Sequence, residues 1–223
     1  MRTLFCLAAL ACALVAPAPA ADDKAFAPLF DGKSLDGWTF IVKPDKDGKK
    51  ADPKVTWSVV DGHIRCTGKP NGCMVTKAEY GDYVLKVKWR FPANTAGGNS
   101  GVLLHVQDEK YWPTSIEAQL LTGRAGDLLL TNPPDVKLDV DKLRQDPKLE
   151  RRFLRIDTKG TPEKKIGEWN EYEITCRGGD ITLCVNGVRV NEGKNGNLSK
   201  GRIALQSEGA EVHFKDIELN KLK

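Results

Sequence analysis

Apolar and polar residues alternate along most of the chain, in short segments divided by glycine, asparagine, aspartate and proline. The clearest segment covers residues 83–91, where Tyr83, Leu85 and Val87 begin a row of apolar side chains at every second position. A period of two residues is typical of a β-strand with one buried face. The same alternation recurs at residues 102–106, 116–120, 172–174, 181–185 and 203–205. Many short strands of this kind predict an all-β sandwich of two antiparallel sheets.

One segment departs from the strand pattern. Residues 140–153 combine strong helix formers with many charges, and Pro147 interrupts them, which predicts a short or split helix. The segment lies in a long insertion of about residues 122–165 that also carries Asn132-Pro133-Pro134. Because long irregular excursions on a compact sandwich are usually functional, we expect this partly helical insertion to wall a cleft.

The start of the chain has the pattern of an export signal. An apolar run over residues 4–15, followed by Ala18-Pro19-Ala20, predicts a removable signal peptide at residues 1–20 and a single domain at residues 21–223. A lipoprotein anchored at Cys12 is an alternative, but the leucine usual three residues before such a cysteine is missing. The run is too short to span a bilayer, so we expect a periplasmic or extracellular protein without membrane insertion.

Composition and charge indicate a globular protein and make one class of partner, nucleic acid, unexpected. The 223 residues are 40% apolar and 29% charged with a net charge of +4, which describes a globular chain with material for one sizeable core. Basic residues are flanked by acidic ones and no basic stripe carries interleaved aromatics, so nucleic acid is not an expected partner.

We assign four tryptophans chiefly to the core: Trp38, Trp57, Trp89 and Trp169.

Four cysteines follow the predicted signal peptide, and an oxidising compartment favours disulfides over a metal cluster. Cys66 and Cys73 flank the turn-forming stretch Gly68-Lys69-Pro70-Asn71. A hairpin centred on that stretch would place the two thiols opposite each other. The sequence therefore predicts a Cys66–Cys73 disulfide.

The second pair of cysteines has a different register. A turn at Gly178-Gly179 would place Cys176 opposite Ile181 and would put Cys184 on the other face of the sheet, so we expect no bridge between them. The sequence has no C-x-x-C pair and no histidine cluster. It therefore does not indicate a tetrahedral zinc site.

Polar side chains between the core positions indicate what the outer faces of the strands present. If the strands are neighbours in a curved sheet, five of these side chains could converge on a concave surface of the size of a sugar: Arg90, His105, Glu117, Gln119 and Gln206. Any solvent-facing sheet is polar, and Glu117 could simply pair with Arg90, so the periodicity leaves both interpretations open. Tyr111 and Trp112 lie between two of these strands, where aromatic rings either stack on sugars or pack against their loop.

Seven motifs, in order along the chain, resemble the 3-keto-disaccharide hydrolase family. They are LFDGKSLDGW at residues 29–38, WSVVDG at 57–62, NSGV at 99–102, IEAQ at 116–119, GEWNEY at 167–172, VNG at 185–187 and LQ at 205–206. The resemblance implies a concanavalin A-like jelly-roll sandwich and a secreted enzyme that acts on glycosides already oxidised at C3.

The resemblance also implies a type of chemistry. A ketone at C3 acidifies the C2 proton, so that a base can remove it and the aglycone can leave C1 by β-elimination, after which water adds back. Glu117 and His105 are the candidates for the proton transfers. The candidate substrate-binding residues are Arg90, Asn99, Gln119, Gln206, Tyr111 and Trp112.

Two further expectations concern cofactors and partners. A divalent metal ion held by Glu117 and His105 could act as the electrophile, and no other cofactor is implied. A separate sugar 3-oxidoreductase would have to supply the oxidised substrate.

Two other functions remain open at this point. A carbohydrate-binding, lectin-like module uses the same architecture without turnover. An ordinary retaining glycosidase resembling the laminarinases would place two carboxylates about four residues apart on one strand, whereas residues 118–121 after Glu117 are Ala-Gln-Leu-Leu.

Overall fold

The computed structural model describes residues 25–156 and 160–223, so the predicted signal peptide lies outside the described residues. Within these ranges, no helix is long and apolar enough to cross a membrane. The described part of the chain contains two short 3-10 helices, at Pro53–Val55 and Lys142–Arg144. The described strands are β1 (Ala27–Pro28), β2 (Trp38–Val42), β3 (Trp57–Val60), β4 (His63–Cys66), β5 (Gly72–Thr76), β6 (Tyr83–Arg90), β7 (Gly101–Val106), β8 (Ile116–Gln119), β9 (Leu128–Leu130), β10 (Gln145–Asp146), β11 (Leu149–Phe153), β12 (Asn170–Arg177), β13 (Asp180–Val185), β14 (Val188–Gly193), β15 (Arg202–Ser207) and β16 (Val212–Lys221).

The strands form two antiparallel sheets that pack face to face. The back sheet has the order β14-β13-β12-β6-β16-β4-β3, with β1 also paired to β16. The front sheet has the order β10-β11-β9-β8-β7-β15-β5-β2. The predicted all-β sandwich is therefore confirmed. Each sheet combines hairpins of consecutive strands, such as β12-β13-β14 and β7-β8-β9, with pairings between distant parts of the chain, such as β6 with β16 and β7 with β15.

The core between the sheets follows from the alternation in the sequence. In β6, Tyr83, Leu85, Val87 and Trp89 are buried and the residues between them are partly exposed. The indole of Trp89 packs on the ring of Tyr172 in β12, with ring centroids 5.3 Å apart. Fully burying an aromatic or aliphatic side chain of this size contributes about 1.5–3 kcal/mol, so this row is a main source of the stability of the back sheet.

One core prediction for a tryptophan is wrong. Trp38, Trp57 and Trp89 are buried, but Trp169 is partly exposed. It precedes β12 and lies beside Arg90, whose Cζ is 4.5 Å from the ring centroid. Asn170 pairs with Trp89, which faces the core. The adjacent residues, Trp169 and Arg90, therefore lie on the outer face of the back sheet.

The insertion contains no α-helix in its described residues, so the predicted helix over residues 140–153 is wrong. Instead, β10 and β11 form a hairpin whose turn contains Pro147, and β11 pairs with β9. This pairing satisfies the backbone of β11 and places Phe153 opposite Leu128 in the core. Tertiary pairing therefore overrides the helix propensity of the segment.

The predicted Cys66–Cys73 disulfide is also wrong, because both thiols are free. Cys66 lies in β4 of the back sheet and Cys73 in β5 of the front sheet. The stretch Gly68-Lys69-Pro70-Asn71 crosses from one sheet to the other instead of closing a hairpin. Burial raises the pKa of the Cys66 thiol to about 11 and that of Cys73 to about 12, so neither is a reactive thiolate at neutral pH.

The register predicted for the other two cysteines is confirmed. Cys176 pairs with Ile181 across the turn at Gly178-Gly179. Cys176 is buried in the core, whereas Cys184 lies on the other face and is partly exposed.

Candidate active site

Glu117 occupies the outer face of the front sheet, in the middle of β8. It pairs with Leu103 of β7 on one side and with Leu129 of β9 on the other. Its carboxylate lies over Gly101, where a Cβ atom would be only 2.8 Å from Oε1 of Glu117. A side chain at position 101 would displace the carboxylate, so the glycine provides the space that Glu117 occupies.

The carboxyl group of Glu117 is buried and has no hydrogen-bond partner among the described residues. Only 1% of the residue is exposed, and neither Oε1 nor Oε2 accepts a hydrogen bond from any residue that the structure describes. Burial raises the pKa of Glu117 to about 8, the negative charge of Glu208 adds to the increase, and Arg151 and Arg152 oppose it. About one tenth of the molecules would then carry an ionised Glu117 at pH 7. Such a group can exchange a proton near neutral pH.

Three further polar side chains lie on the same face. Leu205 pairs with Val102, so the next position along β15 puts Gln206 beside Gly101. One step further, Asn99 pairs with Glu208. The side chain of Asn99 donates a hydrogen bond that lowers the pKa of Glu208, while burial raises that pKa more strongly. The buried amide oxygens of Asn99 and Gln206 have no hydrogen-bond partner among the described residues.

Gln119 lies on this face but is partly engaged elsewhere. It pairs with Gly101, and its Oε1 accepts hydrogen bonds from the backbone nitrogens of Leu120 and Leu121, each at 2.8 Å. Its oxygen therefore stabilises the end of β8, and only its amide nitrogen could contact a ligand.

Two residues of this site are absent from the sequence-based candidates. Glu208 follows Gln206 by two residues, so the same alternation that selected Gln206 could have found it. Arg151 comes from β11 of the insertion and lies close enough to lower the pKa of both Glu117 and Glu208. No sequence signal distinguishes Arg151 from other surface arginines, because β11 joins this sheet only through tertiary pairing.

Buried Asp127 anchors the strand that carries Arg151. Oδ1 of Asp127 accepts a hydrogen bond from the backbone nitrogen of Arg155 at 2.8 Å, and Oδ2 is 3.3 Å from Nε of Arg152. Both arginines belong to the insertion. The insertion therefore contributes a cation to the site, while Arg151 itself forms no ion pair with any described residue.

His105 faces away from this site, so its predicted role beside Glu117 is wrong. Its φ is +52°, and this left-handed residue interrupts the alternation of β7, so that Leu103 and Val106 both lie on the outer face. The imidazole packs against Tyr83 of the back sheet, with ring centroids 5.8 Å apart, and its Nδ1 is 2.8 Å from the carbonyl oxygen of Leu198. Burial lowers the pKa of His105.

The predicted metal pair is wrong for the same reason, since Glu117 and His105 lie on opposite faces of the front sheet. Across residues 25–156 and 160–223, no group of three or more histidine, cysteine, aspartate or glutamate side chains is arranged to hold a metal ion.

Arg90 does not reach the site either, because β6 belongs to the back sheet. It lies on the outer face of that sheet, where its Nε donates to Nδ1 of His213 at 3.4 Å. Since the outer faces of the two sheets point in opposite directions, the predicted convergence of Arg90 with Glu117 is wrong.

Tyr111 and Trp112 lie in the loop between β7 and β8. Tyr111 is 41% exposed and lines a groove of about 410 Å³ beside β2, together with Phe40 and Val42. Four strand spacings of about 4.8 Å separate β2 from β8, so this groove is roughly 19 Å along the sheet from Glu117. The groove thus lies at the far end of the front sheet from Glu117. A substrate contact for Tyr111 and Trp112 stays a prediction.

A comparison with protein families is decisive for the identity of the domain. A model of the 3-keto-alpha-glucoside-1,2-lyase-like domain family matches residues 25–220. The chain belongs to this family. The resemblance that the seven sequence motifs indicated is therefore confirmed, and the lyase-like domain is placed among carbohydrate-active domains.

Solved structures confirm the jelly-roll fold of the lyase-like domain. A protein of Parabacteroides distasonis ATCC 8503, provisionally described as a glycosyl hydrolase, aligns with a TM-score of 0.62 and 22% identity over 89% of this chain and 94% of that one. The carbohydrate-binding module CBM66 of Bacillus subtilis aligns at 0.58 with 9% identity over 83% and 96%. LamAcat of Zobellia galactanivorans aligns at 0.52 with 10% identity over 89% and 94%. No curated protein matches the chain.

Proposed function

We propose that this lyase-like domain cleaves 3-keto-glycosides by removing the C2 proton and expelling the substituent at C1. The observation that carries the proposal is the carboxyl group of Glu117, which is buried, has no hydrogen-bond partner among the described residues and has a pKa of about 8. A base of this strength is better matched to a carbon acid next to a ketone than an ordinary carboxylate is. Family membership supports the same chemistry.

In the proposed reaction, the ionised carboxylate of Glu117 takes the proton from C2. The electrons of the C2–H bond move toward C3, and its carbonyl oxygen becomes an enolate. Arg151, which forms no ion pair with a described residue, stabilises this negative charge. The enolate then collapses, a double bond forms between C1 and C2, and the bond from C1 to the leaving oxygen breaks.

Glu208 is the second acid–base group in this proposal. Its raised pKa favours a protonated carboxyl that can donate a proton to the leaving oxygen. Water then adds across the C1–C2 double bond, so the net reaction is hydrolysis without any oxidant or reductant. The free amide oxygens of Asn99 and Gln206 would accept hydrogen bonds from sugar hydroxyls.

The substrate requirement implies a place in a reaction sequence. A separate oxidoreductase must first oxidise the C3 hydroxyl of the glycoside, because no step proposed for this domain creates a ketone. Export of the domain to the periplasm or medium remains part of the proposal, and the residues that would direct it lie outside the described ranges.

The test uses a chromogenic 3-keto-glucoside and its unoxidised parent glucoside. We expect the purified domain to release the chromophore from the keto compound alone, because only the ketone acidifies the C2 proton. Aglycone release is followed by absorbance, with and without a chelator, so that any need for a metal ion is measured in the same assay.

The other outcomes favour the alternative functions. Equal release from the parent glucoside would assign Glu117 and Glu208 to ordinary acid–base hydrolysis. Retained binding of a glycan without release from either compound would support a lectin-like module and contradict the proposal.

Arg151, the cation at the candidate active site, can be tested by substitution. Arg151→Gln is expected to lower kcat for the keto substrate by about 10²-fold, the usual cost of losing one donor to a developing oxyanion. Arg151→Lys should recover part of the loss, since it keeps the charge. Arg177→Gln removes an exposed arginine at the end of β12 and serves as the matched control. Equal kcat for Arg151→Gln and this control would remove Arg151 from the mechanism.

A further inference from the structure

The outer face of the back sheet carries a cluster of cationic and imidazole side chains that the proposed reaction does not use. The cluster spans three neighbouring strands, β4, β16 and β6. His213 pairs with both Arg65 and Arg90, and Lys215 pairs with Lys88. The six side chains, two from each strand, are His63, Arg65, His213, Lys215, Lys88 and Arg90.

Part of this charge is neutralised by carboxylates on the same face. Glu211 accepts two hydrogen bonds from Arg65, at 3.0 and 2.7 Å, and lies 2.9 Å from Nε2 of His213. Lys88 is paired with Asp216 at 2.9 Å and lies 3.9 Å from Glu171. These three carboxylates are therefore engaged by Arg65, His213 and Lys88.

Two cations of the cluster have no such partner. Neither Arg90 nor Lys215 forms an ion pair with a carboxylate of any residue that the structure describes. Both pack against Trp169, with Cζ of Arg90 at 4.5 Å and Nζ of Lys215 at 4.6 Å from the ring centroid. The two charges are thus at most about 9 Å apart by these distances. Their mutual repulsion would be relieved by an anion that contacts both.

The tautomer of His213 keeps Arg90 available to such an anion. Nε of Arg90 donates to Nδ1 of His213, so Nδ1 is unprotonated and the proton on Nε2 faces Glu211. This contact uses only the Nε–H of Arg90. The terminal nitrogens of its guanidinium, which bind carboxylates and sulfates in a fork, have no hydrogen-bond partner among the described residues.

We propose that Arg90, Lys215 and Trp169 bind the carboxylates of an acidic polysaccharide on the back sheet, on the face opposite the candidate active site. Two cations that lack a carboxylate partner among the described residues match a polymer with one carboxylate per sugar, whereas a nucleic-acid site neutralises several phosphates with lysine and arginine. The indole of Trp169, against which both cations pack, is partly exposed and holds the two charges side by side at the surface. The site would attach the domain to an acidic glycan while its front sheet remains free.

The test is affinity electrophoresis of the domain in gels that contain polygalacturonate, neutral dextran or no polysaccharide. We expect retardation by polygalacturonate alone. The double variant Arg90→Gln/Lys215→Gln should bind at least about tenfold more weakly, since it removes both charge-assisted contacts to the carboxylates. The control Lys137→Gln/Lys148→Gln removes the same charge from exposed lysines elsewhere and should retain binding.

Three outcomes would contradict the proposed binding of an acidic polysaccharide at this site. They are no retardation of the parent, an equal loss in both double variants, or equally tight binding of a single-stranded DNA oligomer in the gel. The single variant Lys215→Gln, on a partly exposed side chain, repeats the test if the double variant fails to fold. Trp169→Phe should retain binding and Trp169→Ala should weaken it, because the ring positions both cations.

Discussion

Replacing Glu117 with glutamine is expected to lower kcat/KM for a 3-keto-glucoside by about 10²- to 10⁴-fold, the usual contribution of a positioned acid or base. Glutamine has nearly the same shape but cannot accept the C2 proton. The fold should be kept, because the carboxylate makes no hydrogen bond with a described residue that the amide would lose. Steady-state kinetics of both proteins, with melting curves as a check on folding, measure the effect.

The pH profile provides the control for this prediction. Because Glu117 acts as the ionised base and Glu208 as the protonated acid, kcat/KM of the parent should give a bell-shaped pH profile, in which the group with a pKa of about 8 is Glu117. Glu173→Gln, which changes a partly exposed glutamate on the back sheet paired with Lys86, should keep the parent profile. Turnover within about threefold of the parent in Glu117→Gln would exclude Glu117 as the base.

The sequence is sufficient for the fold class, because the β-period is a local property. The alternation at residues 83–91 correctly identifies which side chains of β6 face the core. It cannot say to which sheet β6 belongs. Arg90 and Glu117 both lie on outer faces, but the faces belong to different sheets of the sandwich, so they point in opposite directions.

The site is predicted only where the alternation is unbroken. Glu117, Gln119 and Gln206 lie on the face that the sequence assigns to them. His105 does not, because a single residue with φ of +52° reverses the alternation of β7 from that point on. Histidine adopts the left-handed conformation more often than most residues, but not often enough to predict it here. Arg151 depends on pairing between β11 and β9, which no local pattern in the insertion reveals.

The stability of the parent is expected to fall relative to Glu117→Gln as the pH rises. Glu117 has a pKa of about 8 in the folded protein against an ordinary value of 4.5, so between these values the folded state holds more protons than the unfolded state. The free energy of unfolding therefore decreases with increasing pH over this window. From about pH 5 to about pH 9 the parent should lose about 4 kcal/mol more than the variant. Urea unfolding at both pH values measures the difference.

This measurement is independent of any substrate, so it separates the state of the carboxyl group from its role. Parallel stability curves for parent and variant would mean that Glu117 is solvated or paired in the folded protein. Its pKa would then be ordinary, and Glu117 would be too weak a base for the proposed removal of the C2 proton. A stability loss that levels off at the pH where the pKa of about 8 appears in the kcat/KM profile would instead assign both effects to one group. Burial of an unpaired carboxylate then costs stability at the pH where its ionised form serves as the base.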